Sequence, residues 1–89
     1  MILVSVVDKK AEAFGPVFTS KNVAIATRDF SQACQDPQSN LNKFPEDYEL
    51  ILLGEFDETS GKIKPIEPHR IITTASNFVN KEDKCVEQK

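Results

Sequence analysis

The sequence contains few of the residue types from which catalytic and metal sites are commonly built. Its 89 residues include no tryptophan, one histidine and two cysteines. His69 has no nucleophile motif and no companion ligands beside it, so we expect a surface residue in a loop. Cys34 and Cys85 lack the CxxC spacing and are expected to be reduced thiols, with a disulfide as the alternative. We therefore predict a protein that is not an enzyme and that holds no metal or cofactor.

Positive charge and long apolar runs are scarce as well. Eleven lysines and arginines against 14 acidic residues give a net charge of −3, which argues against a general nucleic-acid coat. The apolar run over residues 1–7 is too short to span a membrane and has no basic leader, so neither a signal peptide nor membrane contact is expected. The length predicts a single small domain over residues 1–80, followed by a charged, disordered tail over residues 81–89.

The first half of the sequence predicts a strand, a loop and a helix. Residues 2–7 are rich in β-branched side chains, which is typical of a buried central strand. Residues 8–20 contain Gly15 and Pro16 and are expected to form an ordered loop whose apolar residues fold back onto the core. Thr19 or Ser20 is predicted to cap a helix that ends before Pro37. The apolar loop residues are Phe14, Val17 and Phe18, and the apolar stripe of the helix is Val23, Ala26, Thr27, Phe30, Ala33 and Cys34.

The second half predicts a long polar loop over residues 36–47 and then a β-hairpin. Residues 48–57 have the strongest strand pattern, and apolar side chains on both pleat faces over residues 50–53 predict a central strand. Gly61 can take the positive φ of a turn, and Pro65 predicts an edge position for the return strand over residues 62–66. Residues 70–74 fit either another strand or the approach to a short helix capped by Thr73 or Thr74.

The order of these elements predicts an α+β fold with the order β-α-β-β. A small sheet, made of the N-terminal strand and the central hairpin, is covered by one main helix that makes a right-handed connection between the first two strands. A single helix can hardly cover both faces of a sheet, so a homodimer is expected to bury the second face.

Acidic side chains at the hairpin and before it permit two interpretations. Carboxylates suit magnesium or calcium, but the remaining ligands of a calcium loop are missing. A solvated turn made of turn-forming side chains is therefore the favoured interpretation, and a small metal-dependent enzyme is the rival. The residues concerned are Glu46, Asp47, Glu55, Asp57 and Glu58.

Basic side chains near turns and strand edges are the candidates for binding nucleic acid or a partner protein. If the hairpin and the first loop lie at the same end of the domain, these cations form a small basic face, and Phe14 and Phe18 are available to stack on bases. The alternative is ordinary surface lysines and core aromatics, which the acidic net charge favours. The candidate residues are Lys9, Lys10, Arg28, Lys62 and Lys64.

Several short strings in a fixed order resemble the small nonstructural protein of gokushoviruses, which are single-stranded DNA microviruses of bacteria. The resemblance covers about residues 2–68. It departs from the family at Val17, where the family commonly has proline, and at Cys34 and Gln35, where it has Val-Asn. The strings are Ser5-Val6-Val7-Asp8, Lys10-Ala11-Glu12-Ala13-Phe14, Ala26-x-Arg28-x-Phe30, Asp36-Pro37, Pro45-Glu46-Asp47-Tyr48, Gly54-Glu55-Phe56-Asp57 and Gly61.

The resemblance implies a non-enzymatic bacteriophage protein in the cytoplasm of the infected host that is not a major virion component. By analogy with other microviruses, it implies a role in viral DNA replication, including the switch to single-stranded DNA synthesis and packaging. Its partners would be viral or host replication proteins, single-stranded DNA, or both. A stand-alone, sequence-independent single-stranded DNA-binding module is the alternative. Arg28 is the best single candidate for DNA contact, because it alone among the five cations matches the family pattern.

Overall fold

The computed structural model describes residues 1–79, so the predicted tail and Cys85 lie outside the described residues. The described chain consists of five strands, two α-helices and two 3-10 turns. The strands are β1 (Ile2–Asp8), β2 (Ala13–Phe14), β3 (Phe18–Ser20), β4 (Tyr48–Phe56) and β5 (Ile63–Thr74). The helices are α1 (Val23–Cys34) and α2 (Asn40–Lys43), and the 3-10 turns are Pro45–Asp47 and Ala75–Phe78.

All strand pairs in the sheet are antiparallel, and β1 and β4 lie at its centre. β5 pairs with the far side of β4, while β2 and β3 pair in succession with the far side of β1. The predicted β-α-β-β order is therefore wrong, because two more strands occur before the helix. The predicted right-handed connection is also wrong: α1 lies between strands that pair antiparallel, and the handedness rule concerns parallel pairs.

The segment over residues 8–20, predicted to be a loop, contains both additional strands. They are two and three residues long, too short to show an alternating pattern in the sequence. The amide of Gly15 donates to the carbonyl of Val6 at 2.8 Å, and the side chain of Ser5 donates to the carbonyl of Gly15 at 3.0 Å. These bonds hold the segment against β1 as an interrupted return strand.

Helix α1 forms where its apolar stripe predicts, although a different residue caps it. The side-chain oxygen of Asn22 accepts a bond from the amide of Ile25 at 2.8 Å. Thr19 and Ser20, the predicted caps, are strand residues of β3. The helix ends at Cys34, in agreement with the predicted stop before Pro37.

The core lies between α1 and one face of β1 and β4, and the turn Ala75–Phe78 closes its end. Phe30 is 4% exposed and packs on the same cluster as Val4 and Leu52, as predicted. Cys34 is a buried free thiol, and burial raises its pKa to about 11, so it stays protonated and unreactive at neutral pH. The core residues are Val4, Ala26, Phe30, Cys34, Leu50, Leu52 and Ala75.

The hairpin and the last strand also agree with the sequence pattern. Gly61 has a φ of 79° at the turn, and β5 lies at the edge of the sheet, as Pro65 predicted; Pro65 pairs with Gly54 of β4. Each alternative for residues 70–79 is met only in part, because residues 70–74 extend the return strand and form no separate one, and the helical turn after Thr74 has no side-chain capping bond. The strand continues to Thr74, and a 3-10 turn over Ala75–Phe78 follows it.

Candidate functional site

A groove of about 570 Å³ at the hairpin end of the sheet is lined by three lysines. It is formed where β1 begins, β4 ends and β5 begins, and Lys21 reaches it from the residue after β3. Lys21, Lys62 and Lys64 are all exposed, and within residues 1–79 none of them forms an ion pair. We refer to this site, defined by the three lysines with Glu55 and Asp57, as the cationic groove.

Local hydrogen bonds in the turn position the lysines of the hairpin. A side-chain oxygen of Asp57 accepts from the amides of Thr59 and Ser60 at 2.9 and 3.4 Å, and its own amide donates to the carbonyl of Lys62 at 2.9 Å. The bonds that the carboxylate accepts from Thr59 and Ser60 lower the pKa of the Asp57 carboxyl. Asp57 is thus a turn-forming residue, in line with the favoured interpretation of the acidic set.

Replacing Asp57 by alanine is expected to destabilise the hairpin at neutral pH. Because folding lowers the pKa of Asp57, its stabilising contribution is present above the ordinary carboxyl pKa of 3.8 and is lost as the pH falls through the lower folded value. Urea unfolding of the wild type and of Asp57→Ala should therefore show midpoints that differ at pH 7 and converge in acid. Equal midpoints at neutral pH would contradict the turn-forming role of Asp57.

The five predicted basic residues lie in three separate places. Lys62 and Lys64 line the cationic groove, whereas Lys9 and Lys10 follow the opposite end of β1. The strand register fixes this separation, because Ile2 pairs with Glu55 and Asp8 pairs with Tyr48. The hairpin and the first loop are thus at opposite ends, so the condition for a single basic face is not met.

The Lys9 and Lys10 end is electrostatically balanced by acidic neighbours. The ammonium of Lys9 lies 3.3 Å from a carboxylate oxygen of Glu49. Lys10 lines a smaller pocket, of about 330 Å³, together with Asp8 and Asp47. The cationic groove, in contrast, is lined by three lysines and two carboxylates, with one further carboxylate, that of Glu58, in the adjacent turn.

Tyr48 lies in the same smaller pocket as Lys10. Burial, the neighbouring Asp8 and Asp47 carboxylates and a hydrogen bond to Asp8 raise the pKa of its phenol. A phenol is neutral at physiological pH even at its ordinary pKa of 10.0, and the upward shift acts in the same direction, so Tyr48 adds no charge to this end of the sheet.

Arg28 lies on α1, outside the cationic groove. Its side chain is 67% exposed, and its Nε lies 3.9 Å from a carboxylate oxygen of the adjacent Asp29. Among residues 1–79, Arg28 forms no ion pair with Glu46 or Asp47, which lie in the turn before β4. Such an exposed pair contributes little to stability.

Lys21 is the groove residue that sequence analysis did not select. It enters the site because Ser20 pairs with Ile2 at the start of β1, next to the hairpin end. Ser20 was expected to cap a helix, and under that expectation Lys21 belongs to the first helical turn, with no reason to meet Lys62. Sequence analysis missed Lys21 because β3 is too short to show the alternating pattern of a strand.

The predictions that Phe14 and Phe18 pack onto the core and that His69 lies in a loop are wrong. Phe14 and Phe18 are 51% and 40% exposed and lie outside the core. His69 is part of β5 and not of a loop. Its ring meets the ring of Phe14 edge-on, with centroids 5.7 Å apart, and both line an apolar groove on the sheet face opposite α1.

The acidic residues do not assemble a metal site within residues 1–79. No group of three His, Cys, Asp or Glu side chains in this part of the chain could hold a metal ion. Glu46 and Asp47 precede β4, whereas Glu55, Asp57 and Glu58 lie at its far end. Over the same residues, none of the helices has the length and apolar character needed to cross a bilayer.

The described residues define a small antiparallel-sheet protein with one helical cover, a cationic groove at one end and an apolar groove on the open face. Residues 1–78 match the model of the family described as Phage ORF5 protein. The chain is also 31% identical over 71 residues to Protein ORF5 of Chlamydia phage 1, covering 75% of this chain and 74% of the relative. No solved structure matches.

The chain belongs to the Phage ORF5 protein family. Chlamydia phage 1 is a gokushovirus, so the resemblance to a nonstructural protein of that group of microviruses is confirmed. The departures at Val17, Cys34 and Gln35 do not alter that membership.

Proposed function

We propose that this chain is a non-enzymatic phage protein that assists viral DNA replication by binding single-stranded DNA without sequence preference. The cationic groove is the observation that carries the proposal. Lys21, Lys62 and Lys64 are exposed and unpaired within the described residues, and lysine ammonium groups attract phosphates. No array of base-reading side chains accompanies them in the groove, so the contacts would be to the strand's backbone.

The acidic net charge limits how strongly DNA can bind. Three lysines facing two carboxylates give a small local surplus on a chain whose net charge is −3. Three phosphate contacts on a single strand predict a slope of about −2 for the logarithm of the binding constant against the logarithm of salt concentration. Affinity should then fall about 20-fold between roughly 50 and 200 mM salt. A protein that binds in this way would contact newly made single strands weakly and transiently.

The test is fluorescence anisotropy with a labelled oligonucleotide of about 16 nucleotides, long enough to span the groove. Lys62→Ala combined with Lys64→Ala should weaken binding about tenfold and make the salt slope shallower by about 1.4, because two phosphate contacts are lost. The matched control combines Lys9→Ala with Lys10→Ala, which removes the same charge at the opposite end of the sheet. The control should change affinity by less than about threefold, since these lysines have acidic neighbours.

Arg28→Ala separates the proposed groove from the family-based candidate. Because Arg28 lies on α1, the substitution should leave both DNA affinity and the melting temperature nearly unchanged. An equal loss of affinity in all three variants would indicate general charge attraction and no groove. No binding to any strand at low salt would remove the DNA proposal and leave viral or host replication proteins as the partners to seek.

A further inference from the structure

The sheet face opposite α1 carries an apolar groove of about 590 Å³. Because side chains alternate along a strand, the burial of Val4 under α1 directs Leu3 to this open face. Leu3 and Leu53 are half-buried at the floor of the groove. We refer to the floor and its walls together as the open face, lined by Leu3, Phe14, Val17, Leu53, Ile63, Pro65 and His69.

The walls of the open face expose large apolar side chains. Phe14 and Val17 form one wall and are 51% and 57% exposed, while Ile63 on the other wall is 62% exposed. These three side chains alone present on the order of 300 Å² of apolar surface, and patches of this size on a small protein commonly mark an interaction site.

The rest of the described chain does not cover the open face, and the residues that follow are poorly suited to do so. Val79, the last described residue, packs against the core on the α1 side of the sheet. The following segment, residues 80–89, contains six charged side chains and only Cys85 and Val86 as apolar ones. Such a segment would bury charge if it filled an apolar groove, which is costly.

The charge pattern favours a second copy of this chain as the occupant. None of the residues lining the open face is a lysine, arginine, aspartate or glutamate. Two identical chains of net charge −3 can therefore bring these faces together without placing like charges opposite one another. A nucleic acid, in contrast, would meet no cation there to replace its counterions.

We propose that two copies of this chain form a dimer in which the open faces pack on one another about a two-fold axis. The wall formed by Phe14 and Val17 in one copy lies against the floor formed by Leu3 and Leu53 in the other. A two-fold axis repeats this contact with the two copies exchanged. Sheets that pack face to face in this way interdigitate their inner side chains.

The dimer leaves the cationic groove open on both copies. Ile63 and Pro65 line the open face, whereas Lys64 between them lines the cationic groove, since alternate residues of β5 point to different sides. Lys62, the residue before β5, also lines the cationic groove. Two such grooves in one particle would double the contacts available to a strand. The dimer does not depend on DNA binding and is tested without it.

Sedimentation velocity of the full chain at concentrations from about 1 to 100 μM tests the proposal over the range in which small dimers dissociate. The wild type should sediment at twice its monomer mass of 10.0 kDa. Val17→Glu and Ile63→Glu, which alter opposite walls, should each raise the dissociation constant about 100-fold, because the two-fold axis places every new charge in the interface twice. Both side chains are exposed in the single chain, so far-UV circular dichroism should show folded monomers.

Phe44→Glu is the matched control, because Phe44 is 55% exposed and lies away from the open face, in the pocket with Lys10. This substitution should leave the dimer intact.

A monomeric wild type would overturn the proposal, as would a dimer that survives both Val17→Glu and Ile63→Glu. A monomeric wild type whose affinity for an oligonucleotide falls in these two variants would assign the open face to DNA instead. Loss of DNA binding in the lysine variants would not change the sedimentation of the dimer. The DNA proposal and the dimer proposal can therefore be contradicted independently.

Discussion

Phe30→Ala is expected to lower the free energy of unfolding by about 3–5 kcal/mol, the usual cost of removing a buried phenylalanine. Phe30 is 4% exposed at the centre of α1. Its ring meets that of Phe78 edge-on, with centroids 6.1 Å apart. The substitution therefore removes both the contact of the helix with the sheet and its contact with the turn Ala75–Phe78. Because a domain of this size is marginally stable, this loss is a large share of its total free energy of unfolding.

Urea unfolding followed by circular dichroism measures this effect. Gln32→Ala is the control, because Gln32 lies on the exposed side of the same helix and its replacement should change stability by less than about 0.5 kcal/mol. All variants must be compared at one protein concentration, since a dimer gains stability by mass action. Equal stability of Phe30→Ala and the wild type would show that α1 does not pack on the sheet through this face.

Gly54→Ala is the second substitution for which we expect a large effect, about 1–3 kcal/mol or more. A Cβ at Gly54 would overlap the carbonyl oxygen of Lys64 and lie 3.0 Å from the Cα of Pro65. Both neighbours are backbone atoms of β5, so no side-chain rotation relieves the overlap and the two strands must separate locally. Residue 54 also follows Leu53, where the pairing of β4 with β1 skips one residue.

Gly61→Ala provides the matched comparison for Gly54→Ala. Gly61 has a φ of 79°, but a Cβ there would meet no atom within 4 Å, so only the backbone conformation opposes the change. We expect a cost of about 1 kcal/mol, smaller than that of Gly54→Ala. Hydrogen exchange should show faster exchange of the β4 and β5 amides in Gly54→Ala and a local effect at the turn in Gly61→Ala. The reverse ranking would contradict the close approach of the two strands.

Much of the local structure could be predicted because its physical cause lies within a few residues. The apolar stripe that includes Ala26, Phe30 and Cys34 predicts which side of α1 packs on the sheet. These three are the buried residues of α1. The apolar run over residues 50–53 indicated a central strand, and Gly61 indicated the turn that follows. Family membership was also predictable, since it depends on short strings in order along the chain.

The additional strands and the arrangement of the candidate sites could not be predicted in the same way. β2 and β3 exist because β1 offers a free edge, and strands of two or three residues have too few side chains for a pattern. Phe14, Val17 and Phe18 were expected in the core because they are apolar, yet the return strand places them outside it. Nothing local distinguishes an apolar side chain that fills a core from one that lines an open face.

The sequence by itself determined the family, the main helix, the central strand and the hairpin, because each depends on residues close together in the chain. Only the tertiary structure decided which lysines share a site. The antiparallel register of β1 with β4 places Lys9 and Lys10 at one end and Lys62 and Lys64 at the other, and the pairing of β3 with β1 adds Lys21 to the latter. The physical reason is that the register of strands distant in the chain is set by which apolar faces are buried together, and that packing cannot be inferred from the spacing of the charges.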